Sequence, residues 1–385
     1  MNDQEGGRRS ILHEIAGGLG DVGVFIPLAL ALVIENGFNL KGIFLTAGLF
    51  YITAGYYFRI PMPVQPLKAM AAIALASGFS QGTVQIAGLI FGFVILLLLI
   101  PGAGNVLEKL FPLPVIRGIQ LALGIILVIT GLKMAMGDLP LAFLAASILI
   151  CTHFLVNFLP PLLPVLLIGV IIAIATGGAG GFAPGELSSL SFTFGLHMKE
   201  FFLPITALVI PQLGLTVGNS IVATVQTSKD IFPKKSERVT VKSLALSIGI
   251  GNILSSLLAG FPMCHGSGGL TAHHRFGARS NMATAITGVL FLTIALLPSG
   301  LVSSVLFNFP LPFLGVPLVI VGIFHALFAR EILMRGKHAA PVIITALVSV
   351  LTRNLTAGVA LGFIAFTLEE VLSTHLAKRK TMRME

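Results

Sequence analysis

Apolar residues run along this chain in long blocks separated by short polar connections. Runs such as Val84–Ile100 and Ile119–Leu132 would aggregate in water, and lipid is the natural solvent for them. Seven such stretches are read in the first half, at 11–34, 40–58, 64–78, 84–101, 113–132, 139–158 and 161–176. Seven more follow at 201–226, 241–259, 266–280, 282–305, 312–329, 339–353 and 354–373. Helix is expected in all of them, because a backbone in hydrocarbon must satisfy its polar groups within the segment. The predicted fold class is an all-α integral membrane protein with about 14 transmembrane segments.

Two stretches break the pattern. Pro61-Met62-Pro63-Val64-Gln65-Pro66-Leu67-Lys68 and Pro262-Met263-Cys264-His265-Gly266-Ser267-Gly268-Gly269 each interrupt an apolar region with helix breakers and polar side chains. The helical parts of segments 3 and 10 are short: about 12 residues reach about 18 Å, little more than half of a 30 Å core. Paired broken helices in matching positions of two halves point to the substrate site of a secondary transporter.

The halves also resemble each other. Phe111-Pro112-Leu113-Pro114 opens segment 5 and Phe309-Pro310-Leu311-Pro312 opens segment 12, an offset of 198; Pro61-Met62 and Pro262-Met263 lie 201 apart. The spacing predicts a 7+7 repeat, inverted because each copy holds an odd number of spans. The first repeat is read at 1–176, a Gly-rich connecting loop at 177–200, the second repeat at 201–373 and a basic tail at 374–385. With both termini on the cytoplasmic side, 19 of the 24 Lys and Arg fall on the inner side, four on the outer side, and Lys68 within a span. That asymmetry follows the positive-inside rule and reads as a multi-pass protein of the cell membrane.

Composition sharpens this picture. The 385 residues are 55% hydrophobic and only 10% charged, with a mean hydropathy of +0.98. A net charge of +9 would raise nucleic acid as a partner in a soluble protein; here the charges sit in loops of a membrane protein, so the lipid bilayer is the expected partner and nucleic acid is not. Cys151 and Cys264 fall in apolar segments, which argues against a disulfide framework. Arg8 and Arg9 precede an apolar run that extends to Ile34, too long for a signal-peptide core, so no cleaved leader is expected.

The candidate chemistry lies at mid-membrane. Gln65 is expected to cap segment 3, Pro66 to occupy its first helical position, and Lys68 to stand in its first turn. A helix start carries about half a positive charge and free N–H donors, and Lys68 adds a full charge. An anion or a carboxylate would each suit that lysine. Gly266, Ser267, Gly268 and Gly269 at segment 10 allow close backbone approach to a ligand, or tight helix packing. Gln212 and Asn219, seven apart in segment 8, share a helix face and fit either a ligand or polar helix contacts. Two helix starts and Lys68 sum to about two positive charges, which balances a dianion. Asp21 opposes that balance, so it either pairs with Lys68 when the site is empty or takes a proton as the anion enters. His265 is read as a second coupling candidate or a hydrogen-bonded structural residue. No Walker motif, nucleophile–base pair or metal-ligand cluster is visible, so neither an enzyme, a cofactor nor a metal site is expected.

Four stretches then resemble a known family: 17–27 (Gly17 to Pro27), 61–69 (Pro61 to Ala69), 211–216 (Pro211 to Thr216) and 264–279 (Cys264 to Arg279). They resemble the molybdate transporter family, which is related to the sulfate permeases. The resemblance implies a 7+7 fold like that of uracil permease, with segments 1–4 and 8–11 as a moving core and 5–7 and 12–14 as a gate. It implies a tetrahedral oxyanion, molybdate first, carried inward by alternating access, and related carriers often form homodimers; protons as the coupling ion follow from the second reading of Asp21. Sulfate permeases usually carry a cytosolic regulatory domain after the last span; this chain runs about a dozen residues past its last span, so that domain is not expected here. A sulfate carrier and an anion channel stay open as alternatives. A nucleobase permease is disfavoured, because no acidic residue lies between Glu237 and Glu331 to meet ring N–H groups.

Overall fold

The computed structural model describes residues 3–102, 111–156, 159–176 and 202–381; the connecting loop at 177–200 lies outside them. The chain forms helix in each of the fourteen apolar stretches. Segment 1 is split. Helix α1 (Asp3–Gly18) ends at Gly18, a short turn holds Asp21, and α2 (Val22–Asn36) begins directly after it. Helix α3 (Leu40–Phe58) starts on Asn39, whose side chain accepts from the Gly42 N–H.

The chain then runs extended through the proline-rich segment into β1 (Gln65–Pro66) and the half-helix α4 (Lys68–Ser77), which stops at Gly78 in the left-handed conformation. Helices α5 (Gln81–Leu96), α6 (Leu113–Ala135), α7 (Leu139–Leu155) and α8 (Leu162–Thr176) complete the first half. The second half opens with α9 (Phe202–Ile231), followed by α10 (Val241–Leu257), β2 (Met263–Cys264) and the half-helix α11 (Ser267–Arg275). Next come α12 (Met282–Leu296), α13 (Ser299–Asn308), α14 (Pro312–Leu327), α15 (Arg330–Arg335), α16 (Ala339–Thr352) and α17 (Leu355–Thr381).

Many of these helices are shorter than a simple span. Among the described residues five helical stretches, one of them α1 and α2 taken together over Ile11–Asn36, are long and apolar enough to cross a bilayer, and α12 with α13 forms a sixth as a pair bent by 99°. Six other apolar helices have 10–17 residues, because Gly and Pro cut the runs. At 1.5 Å per residue, α4 and α11 are about 15 Å and 13 Å long, half the hydrocarbon thickness.

Close packing is built on small residues. Helices α6 and α14 cross with Gly124 against Gly322 and Gly131 against Gly315. A methyl group at Gly322 would sit 2.7 Å from the Gly124 carbonyl oxygen, and one at Gly131 would sit 2.6 Å from that of Gly315. Only hydrogen fits there, which is how helices approach without a hydrophobic drive in lipid. Helix α3 packs on α12, and α5 on α10.

The two broken regions meet at the centre. Strands β1 and β2 pair antiparallel, Gln65 opposite Cys264 and Pro66 opposite Met263. The Leu67 N–H donates to the Pro262 carbonyl at 2.8 Å. Asn252 of α10 pins this crossing. Its Nδ2 donates to the Ile248 and Met263 carbonyls, each at 2.7 Å, and its Oδ1 accepts the Met263 N–H at 2.9 Å. Backbone freed by the prolines is thereby satisfied in a place without water.

Candidate functional site

The strand pair brings the starts of α4 and α11 side by side. The start of α4 departs from expectation in two respects. Leu67, not Gln65, holds the capping position, and Lys68 is the first helical residue. Pro66 lies one residue further out, in β1, because its ring suits the extended chain that pairs with Met263.

Gln65 turns away to Asp21. Its Nε2 donates to Asp21 Oδ1, and the Tyr51 hydroxyl donates to Oδ2 at 3.3 Å. Asp21 is 1% exposed. Both of its oxygens accept, which is the hydrogen-bonding pattern of a carboxylate, and the start of α2 follows directly behind it. No ion pair joins Asp21 to Lys68 among the described residues.

Two first-turn donors of α4 are already taken. Gln212 Oε1 accepts the Ala69 N–H at 3.0 Å and the Met70 N–H at 3.4 Å, while Gln212 Nε2 donates to Thr216 Oγ1 at 3.0 Å. Gln212 thus caps a helix other than its own. Between Gln212 and Asn219 the α9 backbone widens into a π turn, Thr216–Val222. That turn changes the spacing assumed for a regular helix, and Asn219 Oδ1 accepts from the Ser267 hydroxyl at 3.1 Å, at the other half-helix.

The start of α11 is more open. Gly266 occupies its capping position with no side-chain cap. Gly266 and Gly269 are closed in: a methyl group on Gly266 would strike Gln65 Oε1, and one on Gly269 would lie 2.7 Å from Pro63 Cβ. Gly268 is exposed, and a methyl group there would meet nothing within 4 Å. First-turn N–H groups of a helix have no partner within it. Beside this opening Lys68 is half-buried, makes no hydrogen bond or ion pair among the described residues, and lies within electrostatic reach of Cys264 and of His325 in α14.

His265 does not join the opening. It is fully buried, with Nδ1 2.8 Å from the Pro63 carbonyl and Nε2 2.9 Å from Ser247 Oγ. A carbonyl only accepts, so Nδ1 carries the hydrogen and Nε2 receives the serine hydroxyl. Phe50 and Phe58 cover the ring at 5.0 and 5.3 Å between centroids. This is a strut between the two halves, with both ring nitrogens hydrogen-bonded.

Gln65, Lys68, Gly266, Ser267, Gly268, Gln212 and Asp21 therefore surround one crossing, with Lys68, Ser267 and Gly268 at its accessible side. Sequence reasoning did not single out Tyr51, Asn252 or the burial of His273. Asn252 carried a signal, as a lone amide inside an apolar helix. Tyr51 carried none, since an amphipathic ring is ordinary in a membrane helix.

The sequence profile of the family described as "Molybdate transporter of MFS superfamily" matches residues 13–127 and 204–324, more than half of the chain. The chain belongs to the molybdate transporter family. This family member is 28% identical over 408 residues to "Molybdate transporter 1" of Arabidopsis thaliana, spanning 93% of this chain and 87% of that one. It is 28% identical over 434 residues to "Molybdate transporter 1" of Chlamydomonas reinhardtii, spanning 83% and 84%. Its fold is similar to the transmembrane domain of a cyanobacterium bicarbonate transporter, BicA, with a TM-score of 0.61 at 18% identity over 94% of this chain and 98% of that one. It is similar too to the murine Slc26a9 anion transporter in the inward-facing state, with a TM-score of 0.68 at 15% identity over 94% and 69%. The family member is a multi-pass membrane protein of that architecture.

Proposed function

We propose that this protein is a secondary carrier that takes molybdate inward across the cell membrane by alternating access. The carrying observation is the open start of α11 at Gly268, beside Lys68, whose ammonium has no ion-pair partner among the described residues. Two helix starts and one lysine supply about two positive charges, which suits a tetrahedral dianion. The backbone N–H groups of the α11 first turn are its hydrogen-bond donors, and Ser267, whose hydroxyl donates to Asn219 Oδ1, forms the edge of that opening. Gln65, Gly266 and Gln212 hold the two starts in place. Molybdate is the substrate class because the family and its similar plant and algal relatives are described by that ion.

The span count, repeat and division of labour belong to the same proposal. Fourteen spans form two inverted halves with both termini cytoplasmic. The packing of α3 on α12 and of α5 on α10 supports this, since segment 2 on 11 and segment 9 on 4 are equivalent pairs under such a repeat. Segments 1–4 and 8–11 move as a core that carries the site past a gate of 5–7 and 12–14. Asp21 is the coupling residue. It is ionised against Gln65 and Tyr51 without substrate, and it takes a proton when the dianion arrives. The chain has no catalytic role.

Uptake by liposomes that hold the purified protein tests this reading. Molybdate should accumulate when the external face is acid, and unlabelled molybdate should compete better than sulfate. No saturable molybdate uptake, or equal uptake through a pore without counterflow exchange, would overturn it.

A further inference from the structure

One buried titratable group next to the crossing has no part in the mechanism above. His273 lies in the last turn of α11 and is fully buried. Its Nδ1 is 2.9 Å from the Pro61 carbonyl, so Nδ1 carries the hydrogen and Nε2 presents a bare lone pair. That Nε2 is buried with no hydrogen-bond partner among the described residues. A buried acceptor without a donor costs about 1–3 kcal/mol. His265, eight positions earlier, shows the alternative: there a serine hydroxyl fills the second nitrogen.

The surroundings of His273 are specific. The Tyr51 ring stacks on it at 6.4 Å and 25°, and the Tyr51 hydroxyl is the group that donates to Asp21. Asp21, between α1 and α2, and Glu14 of α1 are the carboxylates within electrostatic reach. Glu14 is 6% exposed and accepts the backbone N–H groups of Arg279 and Ser280 at 3.0 and 3.4 Å. The other basic groups on its own segment lie nearer solvent: His274 is half-buried, Arg275 and Arg279 are exposed, and Arg279 donates to the His274 and Ala278 carbonyls. Asp21, Tyr51, His273 and Glu14 thus form a file of buried titratable groups along segments 1, 2 and 10.

We propose that His273 Nε2 is a second proton-binding site, in series with Asp21 on the inner side of the crossing. The inference rests on the reading of Asp21 as the coupling residue. One proton leaves the Asp21 carboxyl group and one arrives at Nε2. Asp21 becomes a carboxylate and His273 an imidazolium, so the charge of the pair is conserved and no co-reactant is needed. Burial opposes an imidazolium there, and the two buried carboxylates within electrostatic reach of the ring act against that cost. Release of the proton from Nε2 toward the cytoplasm then resets the pair.

Two measurements test it. The first uses His273→Asn, whose amide still donates to the Pro61 carbonyl but has no basic nitrogen. In liposomes with an internal pH dye, the variant should bind molybdate and exchange it by counterflow within about twofold of wild type. It should lose the accumulation driven by a one-unit pH gradient, about tenfold per coupled proton. Accumulation with the wild-type pH profile would overturn the proposal. The second uses wild-type protein labelled with 15N-histidine in nanodiscs, and so does not depend on the variant folding. Nε2 should gain a proton as pH falls from about 8 to 5. A nitrogen that stays bare throughout, with and without molybdate, would equally overturn it. Wild-type protein that takes up no oxyanion would instead defeat the transport reading, and the 15N titration would still report on His273.

Discussion

Replacing Gly268 by Ala separates the fold from the site. In an interior helical position Ala is favoured over Gly by about 0.5–1 kcal/mol. At Gly268 the added methyl group meets nothing within 4 Å, so the substitution carries no steric cost in the empty protein. The variant should therefore be at least as heat-stable in detergent as wild type. If molybdate rests on the α11 start, however, that methyl group stands where the anion must approach the N–H donors. Losing one hydrogen bond to a charged group costs about 1.5–3 kcal/mol, which is about 10- to 150-fold in affinity. Calorimetric titration of molybdate into purified protein reads this directly, and initial uptake rates in liposomes read its consequence. A Gly268→Ala protein with wild-type stability and wild-type molybdate affinity would refute the placement of the anion at this helix start. Gly266→Ala is the contrast, because its methyl group strikes Gln65 Oε1 and disturbs the Gln65–Asp21 pair; it should lose both stability and binding.

Three further outcomes follow from the same geometry. Lys68→Ala should abolish transport while the protein still folds: a charge about 4 Å from an anion is worth about 4 kcal/mol at an effective dielectric of 20, so unchanged uptake would remove Lys68 from the site. Gln212→Ala frees the Ala69 and Met70 N–H groups; it should lower the melting temperature of the empty protein and enlarge the stabilisation by molybdate, and a smaller ligand-induced shift than wild type would contradict the capping argument. Gly322→Val drives a side chain into the Gly124 carbonyl and should cost about 1–3 kcal/mol by overpacking; unaltered thermal unfolding in detergent would show that the α6–α14 crossing is looser than described.

Much of the architecture could be read before any coordinates. Long apolar runs, the placement of Lys and Arg, and two Pro-Met breaks 201 residues apart are properties of the chain as written, and hydrocarbon leaves few ways to satisfy their backbone. Membership of the family was legible in the motifs at 61–69 and 264–279. Local rules failed where a partner came from far along the chain. Gln65 looked like a cap for its own helix, but Gln212, 143 positions beyond Ala69, caps that helix and leaves Gln65 for Asp21. The π turn in α9 could not be read from spacing, and it lies in the stretch where Gln212 reaches one half-helix and Asn219 the other.

The sequence alone thus determined that the chain lives in lipid, breaks twice at matching places and carries a lysine and a carboxylate there, because those follow from solvent, helix chemistry and charge. Tertiary structure alone decided which buried polar atoms are satisfied and which are not. His265 and His273 are the same residue type eight positions apart, yet one has both nitrogens bonded and the other has a bare lone pair. The difference lies in whether a serine from α10 happens to stand opposite, and only the packing of distant segments sets that.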